Sequence, residues 1–243
     1  MNLYIDIGNS AIKFGVDEND SVRLLFFVNK RDFNATDILK SLPQEVENIY
    51  VSSVAPNGTD IVKSLCYLAY KKEIIEIKST DECGVKIKID DPKELGTDLL
   101  CDLAAGKHFY GCPILIIDAG TATKILYIDE NNEFFSCAIT PGLELQLNML
   151  ASGTALLPNS EVKEVKPLLE CHNTIDVITS SSYYSHVDMI NGLINRYEKE
   201  IGHPVRKIIT GGNILKIKGL LDFEYDYDPL LCLKGIKVIG ERR

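Results

Sequence analysis

No apolar run in this 243-residue chain approaches the roughly 18 residues of a membrane span, so a membrane helix is not expected. The start of the sequence has no basic segment and passes directly into strand-like residues, which argues against a signal peptide. Basic excess is also missing. Lys and Arg number 26 against 35 Asp and Glu, for a formal charge of −9, so neither nucleic acid nor an anionic membrane is the expected main partner. The seven cysteines (Cys66, Cys83, Cys101, Cys112, Cys137, Cys171 and Cys232) form no CxxC pair, and the four histidines complete no metal-ligand spacing. The expectation is idle thiols in a reducing cytoplasm. Two phosphate-binding signatures are lacking as well: there is no GxxxxGK[ST] loop and no GxGxxG fingerprint. Low-complexity stretches and long linkers are absent.

What remains is an ordinary globular composition, 45% hydrophobic and 25% charged, carrying an internal duplication. Leu3-Tyr4-Ile5-Asp6-Ile7-Gly8-Asn9-Ser10 returns as Ile116-Ile117-Asp118-Ala119-Gly120-Thr121-Ala122. In each copy an apolar strand ends in Asp, followed by a Gly turn and a small hydroxyl-bearing run. A second strand-like run follows each turn (11–16 and 123–128), then an acidic turn (17–20 and 129–132) and a third apolar run (22–28 and 133–139). The offset from Asp6 to Asp118 equals that from Asp17 to Asp129, 112 residues, so the whole meander repeats in register. This predicts two lobes around a charged ligand, with domains at 1–110 and 111–243 meeting near Tyr110-Gly111-Cys112-Pro113.

Between and after the meanders the pattern alternates. Strands are expected at 48–54, 73–77 and 206–210, with a last one near 236–239. Helices are expected at 59–71, with Ile61, Val62, Leu65, Leu68 and Ala69 on one face, and at 97–109, with Leu99, Leu100, Leu103 and Ala104 turned inward. A further helical run follows Pro141-Gly142, and a long helix is expected over 174–200. Three meander strands followed by alternating helices and strands, written twice, is the pattern of a duplicated ribonuclease H-like, or actin-like ATPase, fold. It is an α/β architecture of two similar lobes with mixed sheets.

The repeated turn has its own chemistry. Glycine after a strand lets backbone N–H groups approach an anion without a Cβ in the way. The Asp before it repels phosphate and can serve it only through a cation or ordered water, which points to Mg²⁺–ATP. Lys13, seven residues after Asp6, is placed to reach the phosphates, and Gly211-Gly212 after a strand is a candidate adenosine contact. Asp98 lies in the first turn of an expected helix, where dipole and capping alone would favour a carboxylate; catalysis is the other reading.

These residues together resemble the type III pantothenate kinases along almost the whole chain. The family's Asp-x-Gly-Asn-[Thr/Ser]-x-x-Lys is matched by Asp6, Gly8, Asn9, Ser10 and Lys13, and its Ser-Ser-Val-x-Pro by Ser52, Ser53, Val54 and Pro56. Pro92, Gly96 and Asp98 match Pro-x-x-x-Gly-x-Asp-Arg; residues 118–123 match Asp-x-Gly-Thr-Ala-Thr; 139–143, 154–158, Asn173-Thr174 and 210–212 match later elements. The resemblance implies ATP-dependent phosphorylation of the pantothenate primary hydroxyl, the first step toward coenzyme A, by a cytoplasmic homodimer. It implies Asp98 as the general base, Asp6 through Lys13 at the phosphates with Asp6 organising Mg²⁺ through water, and Gly120, Thr121, Gly211 and Gly212 against ATP. It also implies Asp118 at a monovalent cation (K⁺ or NH₄⁺), and Gly96, Thr97, the Leu99 position and Thr174 on the substrate side.

The departures concentrate on that substrate side. Leu99 stands where the family carries Arg, a residue suited to gripping a carboxylate, and Lys124 follows residues 118–123 in place of Thr. Ile89, Ser136, Cys137, Ser181 and Ser185 also depart from the pattern. Two alternatives stay open beside an active pantothenate kinase with a rebuilt pocket. One is a catalytically impaired nucleotide-binding regulatory protein; the other is a kinase for another small hydroxyl acceptor.

Overall fold

A computed structural model describes residues 1–158 and 164–242. The chain divides into two compact units. The first comprises Met1–Ile114, Tyr127–Ser136 and Leu230–Arg243, and the second Leu115–Leu126 and Cys137–Pro229.

The first unit is built on a five-stranded sheet of order β3-β2-β1-β4-β5. Its strands are β1 (Leu3–Ile7), β2 (Ala11–Glu18), β3 (Ser21–Asn29), β4 (Ile49–Ser53) and β5 (Ile75–Glu76). β1 to β3 form the antiparallel meander, while β4 runs parallel to β1 and β5 parallel to β4. β1 is central and covered on both faces, which explains an unbroken apolar run in place of alternation. Leu3, Tyr4, Ile5 and Ile7 are all fully buried, and only Asp6 breaks the run.

The second sheet has the order β10-β8-β7-β11-β12, the same plan position for position. Here β7 (Ile114–Ala119) is the central strand, β8 (Ala122–Ile128) and β10 (Cys137–Pro141) complete the meander, and β11 (Arg206–Thr210) and β12 (Asp226–Tyr227) follow. Ile114, Leu115, Ile116 and Ile117 are fully buried, as their counterparts are in β1. The second meander departs from the first in one place. The expected third run, 133–139, is split: Glu133–Phe134 forms β9, which pairs with β6 (Lys86–Ile87) in a separate two-stranded sheet, and β10 resumes at Cys137.

Helices α1 (Ala35–Ser41), α2 (Pro56–Tyr70) and α3 (Thr97–Tyr110) belong to the first unit; α4 (Leu143–Gly153), α5 (Thr174–Ile201) and α6 (Ile214–Ile217) belong to the second. Two expectations are corrected. On α2, Val62, Leu65 and Cys66 form the buried face, whereas Ile61 and Leu68 are exposed. The expected last strand near 236–239 is part of a helix, α7 (Leu231–Gly240). Its residues are buried on almost every side, so no polar stripe reveals a helical period and a short β-branched run imitates a strand. α7 packs against α3, where a Cβ on Gly235 would fall within van der Waals overlap of the Cys101 backbone, so only glycine permits this approach. Its far end closes on the chain start: Lys237 Nζ donates to Asp17 Oδ1 at 3.0 Å, and the Tyr4 hydroxyl donates to the same oxygen at 2.6 Å.

Candidate active site

In the first unit the candidate residues collect at the ends of β1 and β4, which stop together. Asp6 is the register partner of Lys13 across the antiparallel pair and of Ser52 across the parallel pair. Lys13 Nζ lies 3.9 Å from Asp6 Oδ2, with both side chains mostly buried. The turn Gly8-Asn9-Ser10 is closed by Gly8 N–H donating to Ala11 O at 3.0 Å, and Asn9 and Ser10 are exposed. The N-terminal turn of α2 comes close beneath. A Cβ at Gly58 would lie 2.9 Å from Ile7 Cγ2 and 3.5 Å from Lys30 Nζ. A second ammonium, Lys30, therefore sits beside a helix start and the first glycine turn, where an anion would be favoured. The sequence reading missed Lys30, because it lies just after β3 outside any motif.

Asp98 is tied to the same place by a chain of hydroxyls. Fully buried Ser52 donates to Thr97 Oγ1 at 2.9 Å, and Thr97 donates onward to Ser53 O at 3.1 Å. This fixes the first residue of α3 against the end of β4, where Ser52 is the register partner of Asp6 on β1. The next residue, Asp98, is partly exposed and accepts from Leu99 N–H at 2.8 Å. A Cβ on Gly96 would meet Asp98 Oδ1 at 2.5 Å, so the glycine leaves room for the carboxylate to fold back over the helix start. Leu99 is 6% exposed and packs inward with α3's other leucines. The structure thus brings Asp6, Gly8, Lys13, Gly96, Thr97 and Asp98 to one end of one sheet, and places Leu99 in the core.

In the second unit the turn after β7 is gripped from two sides. Gly142 N–H donates to Thr121 O at 3.0 Å, and a Cβ there would stand 2.3 Å from Gly120 O and 2.6 Å from Thr121 O. From the other side, Gly211, at φ +96°, lies against the Ala119 backbone, where a Cβ would approach to 2.5 Å. Asn213 completes the clamp, its N–H donating to Ala119 O and its Nδ2 to Gly120 O, both at 2.9 Å. Gly120, Thr121 and Gly211 are thus assembled at one point, with Gly212 next to open space. Gly142 and Asn213 are the residues the sequence reading left out. Gly142 lies inside the matched segment 139–143 and Asn213 directly follows 210–212, yet their role depends on a contact distant in sequence.

Two further arrangements mark this turn. Lys124 Nζ donates to Asp118 Oδ2 at 2.8 Å, with the two side chains only 17% and 15% exposed. Behind β8, fully buried His186 bridges Thr123 Oγ1 (3.2 Å from Nε2) and Gln146 Nε2 (3.0 Å from Nδ1). The Gln146 amide donates to Nδ1, which places the imidazole proton on Nε2 toward Thr123. Burial lowers the His186 pKa, so the ring is held neutral. Thr174 opens α5 beside its capping residue Asn173, and it belongs to the second unit whereas Gly96 and Thr97 belong to the first.

Among the described residues no group of three or more His, Cys, Asp and Glu side chains is disposed to hold a metal ion. None of the seven cysteines is in a disulfide; burial pushes Cys66 up to about 12 and also raises Cys83, leaving both as unreactive thiols. No described helix is long and apolar enough to cross a membrane.

Two five-stranded sheets of the same strand order, each with an Asp-x-Gly turn after its central strand, make the duplicated ribonuclease H-like, or actin-like, fold, and comparison of folds agrees. The chain aligns with a conserved Baf family protein from Campylobacter jejuni at TM-score 0.59 and 20% identity, covering 99% of this chain and 98% of that one. It also aligns with an activator of 2-hydroxyisocaproyl-CoA dehydratase from Clostridium difficile with bound ADPNP, at TM-score 0.50 and 12% identity, covering 99% and 94%. The family model for type III pantothenate kinase matches residues 2–196. A type III pantothenate kinase from Brevibacillus brevis is 30% identical over 254 residues, covering 100% of this chain and 99% of that protein. The chain belongs to the type III pantothenate kinase family.

Proposed function

We propose that this protein transfers the γ-phosphoryl group of ATP to the primary hydroxyl of pantothenate, with Asp98 as the general base. The observation that carries the reading is the placement of Asp98. Its carboxylate is lodged over Gly96, and the Ser52–Thr97 hydroxyl chain ties its helix start to the end of β4, beside Asp6 on the paired strand β1. In the proposed step Asp98 accepts the hydroxyl proton as the freed oxygen attacks the γ-phosphorus and the bond to ADP breaks. Lys13, Ser10, Asn9 and the Gly8 turn position the phosphates, and Asp6 would hold magnesium through water. That ion supplies neutralisation of phosphate charge when bound. Gly120, Thr121, Gly211 and Gly212 form the contact with the rest of ATP, and Gly96, Thr97 and Thr174 the substrate side. The proposal includes a homodimer working in the cytoplasm.

The monovalent cation implied at Asp118 fits this chain poorly, because the facing carboxylate oxygen already accepts from Lys124 at 2.8 Å. Burial of Leu99 favours a second acceptor reading, since no guanidinium occupies that position to meet a carboxylate. The test is ADP release with pantothenate and a panel of small hydroxyl compounds, with mass analysis of the product. Phosphorylated pantothenate is expected, and Asp98→Asn is expected to lose about 10²–10⁴-fold in kcat. An unchanged rate in Asp98→Asn removes the base assignment. No turnover of pantothenate at millimolar concentration by folded protein removes pantothenate as acceptor.

A further inference from the structure

Asp118 ends the central strand of the second sheet, and Gly120 and Thr121 carry the chain around to β8, on which Lys124 stands. The Lys124–Asp118 pair is drawn largely out of water, each side chain less than a fifth exposed, at a hydrogen-bonding distance of 2.8 Å. A carboxylate so placed beside a phosphate-type turn needs a positive partner for two reasons. Left alone, it is a partly buried, uncompensated charge. It would also repel any phosphate that approached the turn amides. A lysine side chain ends in a primary ammonium, chemically an ammonium ion tethered to the chain. Tethering removes the cost of recruiting that ion from solution and raises its local concentration to the millimolar range or above.

We propose that the Lys124 ammonium is a built-in replacement for a monovalent cation at Asp118, so that nucleotide binding by this chain requires neither potassium nor ammonium. The proposal rests on the reading of the Asp118–Thr121 turn as an ATP contact. Threonine, which the family pattern carries at this position, has no charge and would leave the carboxylate to a dissolved ion; lysine supplies the charge from within.

The test compares the full-length protein with Lys124→Thr and Lys124→Gln, in KCl, NH₄Cl or choline chloride at equal ionic strength. The readouts are thermal midpoint without nucleotide and affinity for the non-hydrolysable analogue ADPNP. The wild type is expected to show the same midpoint and, within twofold, the same affinity in all three salts. Each variant is expected to lose about ten- to hundredfold in affinity in choline and to regain most of it, with a higher midpoint, in potassium or ammonium. A wild type whose midpoint and affinity rise severalfold with potassium overturns the proposal, as do folded variants that bind equally well in choline. If neither variant folds, the salt series on the wild type decides alone. Failure to phosphorylate pantothenate would strike the kinase reading and leave these binding measurements standing, so the two failures are distinguishable.

Discussion

Replacing Gly142 with alanine adds one methyl group at the place where the second phosphate-type turn has least room. The backbone at Gly142, φ −70° and ψ 166°, is open to any residue, so no conformational strain enters. The whole effect comes from contact. The new Cβ would stand 2.3 Å from Gly120 O and 2.6 Å from Thr121 O, both main-chain atoms that no rotamer change moves. Restoring even 3.0 Å requires the turn to retreat by about 0.7 Å from the start of α4. Overpacking of this kind costs about 1–3 kcal/mol, and a chain of this length loses about 2–4 °C of midpoint per kcal/mol. Catalysis is more sensitive: misplacing a substrate-holding element by about 1 Å costs on the order of a hundredfold. Gly142→Ala is therefore expected to lose about 10–100-fold in kcat/KM for ATP and in ADPNP affinity. Gly153→Ala, at the other end of the same helix with nothing within 4 Å of the added Cβ, is expected to leave both intact. Titration calorimetry with ADPNP and steady-state kinetics measure the two. A Gly142→Ala protein with wild-type affinity and midpoint would refute the close grip on this turn.

Two further outcomes follow from the same geometry. Thr97→Val keeps the shape of α3's first residue but removes the hydroxyl that accepts from buried Ser52. We expect a loss of about 1–3 kcal/mol in stability by denaturant titration and a fall in kcat with little change in KM for ATP, with Thr97→Ser restoring both. His186 titrates below its usual value of 6.5 because burial disfavours its charged form. The unfolded chain therefore binds the proton more readily than the folded one. The stability His186 confers is full above pH about 6.5 and declines as pH falls toward its lowered folded value. Unfolding followed between pH 7.5 and 5 should show that slope, and His186→Gln should flatten it; an equal slope in the variant would assign the acid loss elsewhere.

The duplication was legible in the sequence because everything that encodes it is local. An apolar strand, an Asp, a Gly turn and an acidic hairpin recur at a fixed offset, and the two sheets have the same strand order. Long helices with clear 3–4 spacing were equally readable; α5 runs Thr174–Ile201, one residue beyond its expected end. The misreadings share a cause. α7 has no exposed stripe, so its period is hidden, and exposed Ile61 and Leu68 on α2 look like core residues to any pattern that counts apolar side chains. At the site, Asp6, Gly96 and Asp98 stood out through their motifs, whereas Asn213, Gly142 and Lys30 matter through neighbours far along the chain. Lys124 stood out as a departure from the family, but its partner became evident only when β7 and β8 placed it against Asp118.

The return of α7 to the first unit has a consequence for how the chain is made. The second unit interrupts the first, so a ribosome releases the whole of the nested unit before the helix that completes the enclosing one. Until residues 231–240 emerge, the face of α3 around Cys101 has no helix to cover it, and Tyr4 and Asp17 wait for Lys237. A fragment ending at residue 114 would carry Asp98 and the Gly8 turn without the helix that covers α3. Vectorial synthesis should therefore mature the Asp118 turn before the Asp98 helix.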